Sequence, residues 1–393
     1  MLGQQMIQSP VRPALKAWWG RCVVLWAALA IGLSLAGWLG TQTLELSSGY
    51  DPVVELRADS WPGLWARWDA PYYFHIARDG YGARPYTMGY FPLYPLLIAG
   101  LARVTGLHLV TAGVVIAQLS HLAALLIFYK LARLLRDEHA FALRAVVALA
   151  LFPTAFFFMA MYAESLALAL GLLSVYCARR GRWVWSGLAL GLASAARPVG
   201  WLLGIILVIE FVRRRQFHWR ALAQMGAALA LAAGGTVLYV LYLYLLTGKL
   251  NAIREAQDLW LMQWQYPWVT LGKGVWIAFM GNGVENDWFL YVSNWADLLF
   301  TLLAIGLTLI GARRLPLSFT VYMVVSILFI LTRQGLEMVP LWGRARWVVP
   351  LFPMYFVIAD LLKSRRVFWP AMAVSALMMA ALAAWWASGR WVG

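Results

Sequence analysis

Residues 66–97 read ARWDAPYYFHIARDGYGARPYTMGYFPLYPLL. This polar stretch is crowded with Trp, Tyr, Pro and Gly, and it lies beyond a long apolar run at 22–40. Trp and Tyr gather where a chain meets the boundary between membrane and water. We read the segment as the mouth of an active site at the membrane surface, with the remaining chain as its scaffold.

Outward from it, the chain has 393 residues, 63% of them hydrophobic and 12% charged. Soluble domains carry roughly 25% charged residues. Apolar runs recur, several of them long enough to cross a hydrocarbon core of about 30 Å. The pattern is that of an all-α polytopic membrane protein, and no alternating segments of barrel type dominate. We treat residues 1–393 as one transmembrane domain. Eleven spans are expected, near 22–40, 110–134, 141–159, 162–178, 183–196, 199–212, 220–246, 296–312, 317–332, 347–362 and 367–388. Two external loops separate them, at 41–109 and 247–294. Residues 91–104 are apolar but short and flanked by prolines, which suits a helix lying in the interface. The first apolar run has no small-residue cleavage site after it, so it is read as a retained span.

The net charge of +15 is distributed as membrane topology requires. With eleven spans and a cytoplasmic N-terminus, 19 of the 32 Lys and Arg fall inside, against four of the 17 acids. The inside clusters include Arg12, Lys16 and Arg21, Arg179 to Arg182, and Arg213 to Arg215. This bias is the positive-inside rule, and no aromatic and basic stripe suggests nucleic acid. The same count brings Asp69, Glu164, Arg197, Arg344 and Arg346 to the extracytoplasmic face. Cys22 and Cys177 both fall near cytoplasmic span ends and offer neither a disulfide framework nor a metal spacing.

Asp69 can be read in two ways. It precedes Ala-Pro-Tyr-Tyr as a helix N-cap would. It also sits at the edge of an aromatic, partly dry segment, where a carboxylate can take a proton from a hydroxyl nucleophile. Glu164 opens a span, either snorkelling to water or facing a cavity. Arg197, in Ala-Ala-Arg-Pro-Val-Gly, is either an interfacial anchor or a phosphate grip. Arg344 and Arg346 stand at i and i+2, so they cannot share a helix face. One is expected at the site, the other in water or paired with an acid such as Glu337. His75, His108 and His121 form no HxxxH or HExxH pattern, and a divalent cation held by carboxylates and phosphate is left open. No P-loop, dinucleotide fingerprint or GxSxG is present.

Arg67-Trp68-Asp69-Ala70-Pro71-Tyr72-Tyr73, Gly80-Tyr81 and Phe91-Pro92-Leu93-Tyr94-Pro95 resemble the PIG-V family of mannosyltransferases. Tyr162-x-Glu164-Ser165, Ala196-Arg197 and Arg346-Trp347 with Leu351-Phe352-Pro353 agree in order. The resemblance implies a GT-C-type bundle with interfacial amphipathic helices in the first external loop. It also implies an inverting transfer of a sugar, mannose by family, from a polyprenyl-phosphate donor to a lipid or glycolipid acceptor. Asp69 maps to the family's catalytic acid. Arg197 and Arg346 (or Arg344) are assigned to the donor phosphate. Glu164, with Tyr73, His75 and Tyr94, is assigned to orienting the acceptor or a metal. At Trp347 the chain departs from the Tyr that the family more often carries. A transporter would show repeat symmetry and midplane charges, which are not evident. A non-catalytic subunit could dispense with Asp69, which is present.

Overall fold

The computed structural model describes residues 18–47, 56–215, 217–259, 263–281 and 288–392. Arg12 and Lys16 of the first basic cluster, and 48–55 and 282–287 of the two loops, lie outside them.

The first helix, α1 (Trp18–Thr43), leads into a loop carrying α2 (Trp61–Leu64), α3 (Ala70–Asp79) and α4 (Leu93–Thr105). Then follow α5 (Leu109–Leu135), α6 (His139–Ala150), α7 (Glu164–Arg179), α8 (Trp183–Ala196), α9 (Gly204–Arg213) and α10 (Trp219–Thr247). The second loop holds α11 (Ala252–Asp258), strand β1 (Gln263–Trp264) and α12 (Pro267–Met280). The chain continues through α13 (Trp288–Gly311), α14 (Leu317–Leu331), β2 (Arg333–Gln334), α15 (Arg344–Val348), α16 (Pro353–Leu361) and α17 (Arg365–Ala387). Strands β1 and β2 pair antiparallel and tie the second loop to the turn after α14.

Among the described residues five helices, α1, α5, α10, α13 and α17, are long and apolar enough to cross a membrane. Helices α4, α6, α8 and α14 are apolar but shorter. Leu96, Leu97 and Val104 on α4 are exposed while Tyr94 and Ile98 are buried. That division suits a helix lying in the interface, as the sequence suggests.

Three expected spans are not continuous helices. The 141–159 span stops at Ala150, and a buried 3-10 turn follows at Ala155–Phe158. Pro153 explains this, because it lacks an N–H and disfavours helix before it. The 199–212 span begins as a 3-10 turn, Pro198–Leu203. The 347–362 span is split between α15 and α16 at Val349-Pro350-Leu351-Phe352-Pro353. Irregular backbone survives at membrane depth only where protein covers it, and Phe152 to Ala163 are all buried.

Helices α8 and α10 approach backbone to backbone. A Cβ on Gly187 or Gly191 would strike the carbonyls of Ala228 and Leu231. Small residues permit such contact, and dispersion then supplies the attraction that apolar burial cannot supply in lipid. Ser194 Oγ donates to Gly191 O at 2.8 Å and reaches Ala232 O at 3.2 Å.

Helix α7 sets the depth of the site. Its 16 residues run from Glu164 to Arg179, roughly 24 Å at 1.5 Å per residue. At the Arg179 end lie the basic clusters, with acids gathered into them. Glu210 meets Arg179 at 3.0 Å and Ser318 Oγ at 2.7 Å. Asp360 meets Arg136 at 2.9 Å and Lys363 at 3.2 Å. At the Glu164 end lies the polar cluster described next.

Candidate active site

The loop before α3 is fixed by an arginine that the sequence does not single out. Arg67 is fully buried, and its guanidinium donates to the carbonyls of Ala387 (2.7 Å), Gly63 (2.5 Å) and Ala58 (2.9 Å). This staples the first loop to the end of α17. Trp68 follows with φ of 54°, a left-handed conformation that costs a bulky residue on the order of 1–3 kcal/mol. The strained peptide turns the chain so that Asp69 projects from the start of α3.

Asp69 occupies the N-cap position of α3, but its side chain makes no capping bond. The capping role read from the sequence is therefore positional only, and the carboxylate is used elsewhere. The Asp69 N–H donates to Tyr162 Oη at 3.3 Å, and Tyr162 Oη donates to Arg67 O at 3.1 Å. Asp69 Oδ2 lies 2.7 Å from Arg346 Nη1. Oδ1 accepts a hydrogen bond from Tyr90 Oη at 3.1 Å. Burial, and then the Asp69 carboxylate, raise Tyr90 well above the ordinary tyrosine range, so its hydroxyl keeps its proton and donates.

Glu164 heads α7 with its side chain 2% exposed, so it is an inward acid and not a solvated span end. Its Oε1 is 2.9 Å from Arg346 Nε and 3.0 Å from Arg197 Nη1. Neither contact has hydrogen-bond alignment, so both are charge contacts with donor capacity left over. Two acids and two arginines thus form a neutral, largely buried tetrad. The arginines of the expected phosphate grip therefore carry acid partners of their own. Such pairs contribute little net stability, because desolvating each ion costs several kcal/mol. Removing one member is far worse, since it strands a buried charge. The Arg346 guanidinium carbon also lies 4.8 Å from the Tyr162 ring centroid and 5.9 Å from that of Trp391.

Arg344 and Arg346 face apart, as their spacing requires. Arg346 is the one at the site. Arg344 does not go to water or to Glu337, which instead meets Lys273 at 3.6 Å. It is fully buried, with Nη1 donating to Trp342 O at 2.8 Å. Nearby, Asp297 of α13 accepts the N–H groups of Gly343 (3.1 Å) and Ala345 (2.7 Å). An acid inside an apolar run was a readable signal for this anchor.

Tyr73 packs edge-on to Tyr90 at 5.1 Å and to Tyr94 at 5.0 Å. Burial, and then the Glu164 charge, push its hydroxyl up from the ordinary range. Tyr94 donates to Gly113 O at 2.8 Å, so its hydroxyl serves the scaffold and not the site. His75 turns to Asp79 at 3.9 Å and Arg78 at 3.5 Å, away from the tetrad. The helical spacing explains this: six residues from Asp69 falls on another face of α3. Among the described residues, no group of three or more His, Cys, Asp or Glu is placed to hold a metal. Between Asp69 and Glu164 stands the Arg346 guanidinium.

Arg197 also lines a small cleft with Trp347, Val199, Leu202, Tyr322, Ser326, Ile330 and Leu351. The Arg197 guanidinium carbon is 5.9 Å from the Trp347 ring centroid. The cleft is therefore charged at Arg197 and mostly apolar beyond it.

A family model described as Mannosyltransferase (PIG-V) matches residues 24–232. That range contains Asp69, Tyr90, Glu164 and Arg197. A relative named GPI mannosyltransferase 2, from Yarrowia lipolytica (strain CLIB 122 / E 150), is 29% identical over 134 residues. The match covers 33% of this chain and 37% of the relative. Among solved structures, ArnT from Cupriavidus metallidurans in the apo state aligns with a TM-score of 0.53 at 16% identity. The alignment covers 92% of this chain and 62% of that one. The same protein bound to undecaprenyl phosphate aligns at 0.51 with 17% identity, covering 92% and 63%. At these identities the likeness is one of fold, and this chain spans less than two thirds of the length of each of these proteins.

Proposed function

The chain belongs to the mannosyltransferase (PIG-V) family, and on that premise we propose that it is an inverting glycosyltransferase. It takes a sugar, mannose, from a polyprenyl-phosphate donor and delivers it to a lipid or glycolipid acceptor at the extracytoplasmic face. One observation carries the reading: an acid, Asp69, shares Arg346 with Glu164, which also meets Arg197 at the mouth of a mostly apolar cleft.

The donor's phosphate meets Arg197 and Arg346, and its isoprenoid chain lies along Val199, Leu202, Ile330 and Leu351. An arginine–phosphate contact is charge-assisted and can be bidentate. The acceptor hydroxyl attacks the anomeric carbon from the side opposite the phosphate, and Asp69 takes its proton. The glycosidic bond forms as the bond from carbon to phosphate oxygen breaks. Polyprenyl phosphate leaves with that electron pair, its growing charge met by the arginines already in place. Glu164 holds the two arginines at the right separation. The basic clusters at the Arg179 end of α7 support an extracytoplasmic site by the positive-inside rule.

The experiment is transfer from polyprenyl-phosphate-[3H]mannose by purified protein to a membrane lipid extract. Asp69→Asn keeps the shape but cannot take the proton, so turnover should fall about 10²–10⁴-fold. Undecaprenyl phosphate binding should not weaken, while thermal stability should fall somewhat because Arg346 loses an acid partner. Near wild-type transfer by Asp69→Asn would remove Asp69 as base and shift that role to Glu164.

A further inference from the structure

The two oxygens of Asp69 are held differently. Oδ2 meets Arg346, a residue that also has Glu164 to turn to. Oδ1 meets Tyr90, and Tyr90 is braced from several sides. Its carbonyl accepts from Tyr81 Oη at 2.7 Å. Tyr239 Oη, on α10, lies 3.0 Å from the same carbonyl and 2.9 Å from Met88 O. The Tyr90 ring stacks on Tyr72 at 4.9 Å with the planes 20° apart, and Tyr73 packs against its edge. Helix α11 closes the arrangement: Ala252 and Ala256 are buried with Tyr81, Met88, Phe91 and Tyr239 in one small apolar cluster. Tyr90 therefore sits at the join of the two external loops and cannot easily swing away from Asp69.

We propose that Tyr90 is the positioning residue of the base, holding Oδ1 so that Oδ2 is the oxygen that takes the acceptor's proton. Oδ2 becomes available when Arg346 turns to the donor phosphate. The inference rests on Asp69 being the base. With one oxygen fixed, the carboxylate cannot rotate, and the reacting lone pair is aimed before the acceptor arrives. Such prepositioning lowers the barrier by removing a reorganisation from the reactive step.

Tyr90→Phe removes the hydroxyl while keeping the ring packing. Oδ1 then loses its fixed partner, and the carboxylate regains the freedom to turn.

Infrared difference spectra of the detergent-purified protein read this directly, using the carboxylate stretch that Asp69→Asn abolishes. In Tyr90→Phe that stretch should shift and broaden as the hydrogen bond to Oδ1 is lost, with thermal stability and undecaprenyl phosphate binding unchanged. Turnover should fall about tenfold with the donor KM unaltered. Coincident carboxylate bands in the two proteins would overturn the proposal and leave Tyr90 as packing. A shifted band in a protein whose wild type transfers nothing from the polyprenyl donor would sustain the coupling and overturn the donor assignment.

Discussion

Arg346 connects the two acids of the site, and its geometry separates it from lysine. Its Nη1 and Nε reach Asp69 and Glu164 together, which a lysine's point charge cannot do. The tetrad is neutral as it stands, so an arriving phosphate must compete with Glu164 for both arginines. Glu164→Gln removes that competitor and gives the site one net positive charge. Undecaprenyl phosphate should then bind about tenfold tighter, a change of about 1.4 kcal/mol, while turnover falls because product leaves slowly. Quenching of tryptophan fluorescence on titration with the lipid would measure it. Weaker binding would mean that Glu164 shapes the arginine pair more than it competes with the ligand. Sequence alone marks Asp69, Glu164, Arg197 and Arg346 as separate charges in polar or proline-containing segments. It does not reveal that they touch, because their partners lie on α3, α7, the α8 terminus and α15. Tyr90 is passed over for the same reason: one tyrosine among many, distinguished only by where its hydroxyl points.

Helices α8 and α10 show what packing demands of individual positions. Gly191 lies against Leu231 O, and Gly235 against Gly191 O. Gly191→Leu must push α10 away or distort it, and overpacking of this kind costs about 1–3 kcal/mol or more. Lower thermal stability in detergent, with Gly226→Leu as an open-space control, should show it. Equal melting of the two variants would argue against the close crossing. The long helices α1, α5, α10 and α17 were legible because uninterrupted apolar length is a local property. The breaks near Pro153, Pro198, Pro350 and Pro353 were less so. A proline announces an interruption, but only the surrounding protein decides whether the chain resumes as helix or as a buried turn. His75 fails for a related reason, since its place depends on the rotation of a ten-residue helix that periodicity in so short a segment does not fix.

Across the whole molecule, the acids and bases at the two ends of α7 serve different purposes. At one end Asp360 and Glu210 are outnumbered by arginines and lysines; at the other the tetrad balances. The proposed orientation rests on that asymmetry, and thiol labelling can read it. Cys22 and Cys177 are buried, so added cysteines should dominate the signal. Ala83→Cys, exposed near the site, should react with an impermeant maleimide on intact cells, whereas Arg180→Cys should react only after permeabilisation. Reaction of both from outside would end the proposed topology.

The staple made by Arg67 has a consequence in time. It joins residues 320 positions apart, and it is not alone. Ser47 N–H donates to Ser388 O at 2.8 Å, Arg390 donates to Glu45 O at 2.8 Å, and Trp391 meets Trp68 edge-on. The segment around Asp69 leaves the ribosome early, but its fixed neighbours emerge only after α17 is made. At roughly 5–20 residues per second that interval is about 15–60 s. During it the nascent chain can already be threaded into the bilayer, yet the Asp69 carboxylate has no fixed position. A copy interrupted before α17 should therefore be inert, with competence arriving only when synthesis has passed that helix.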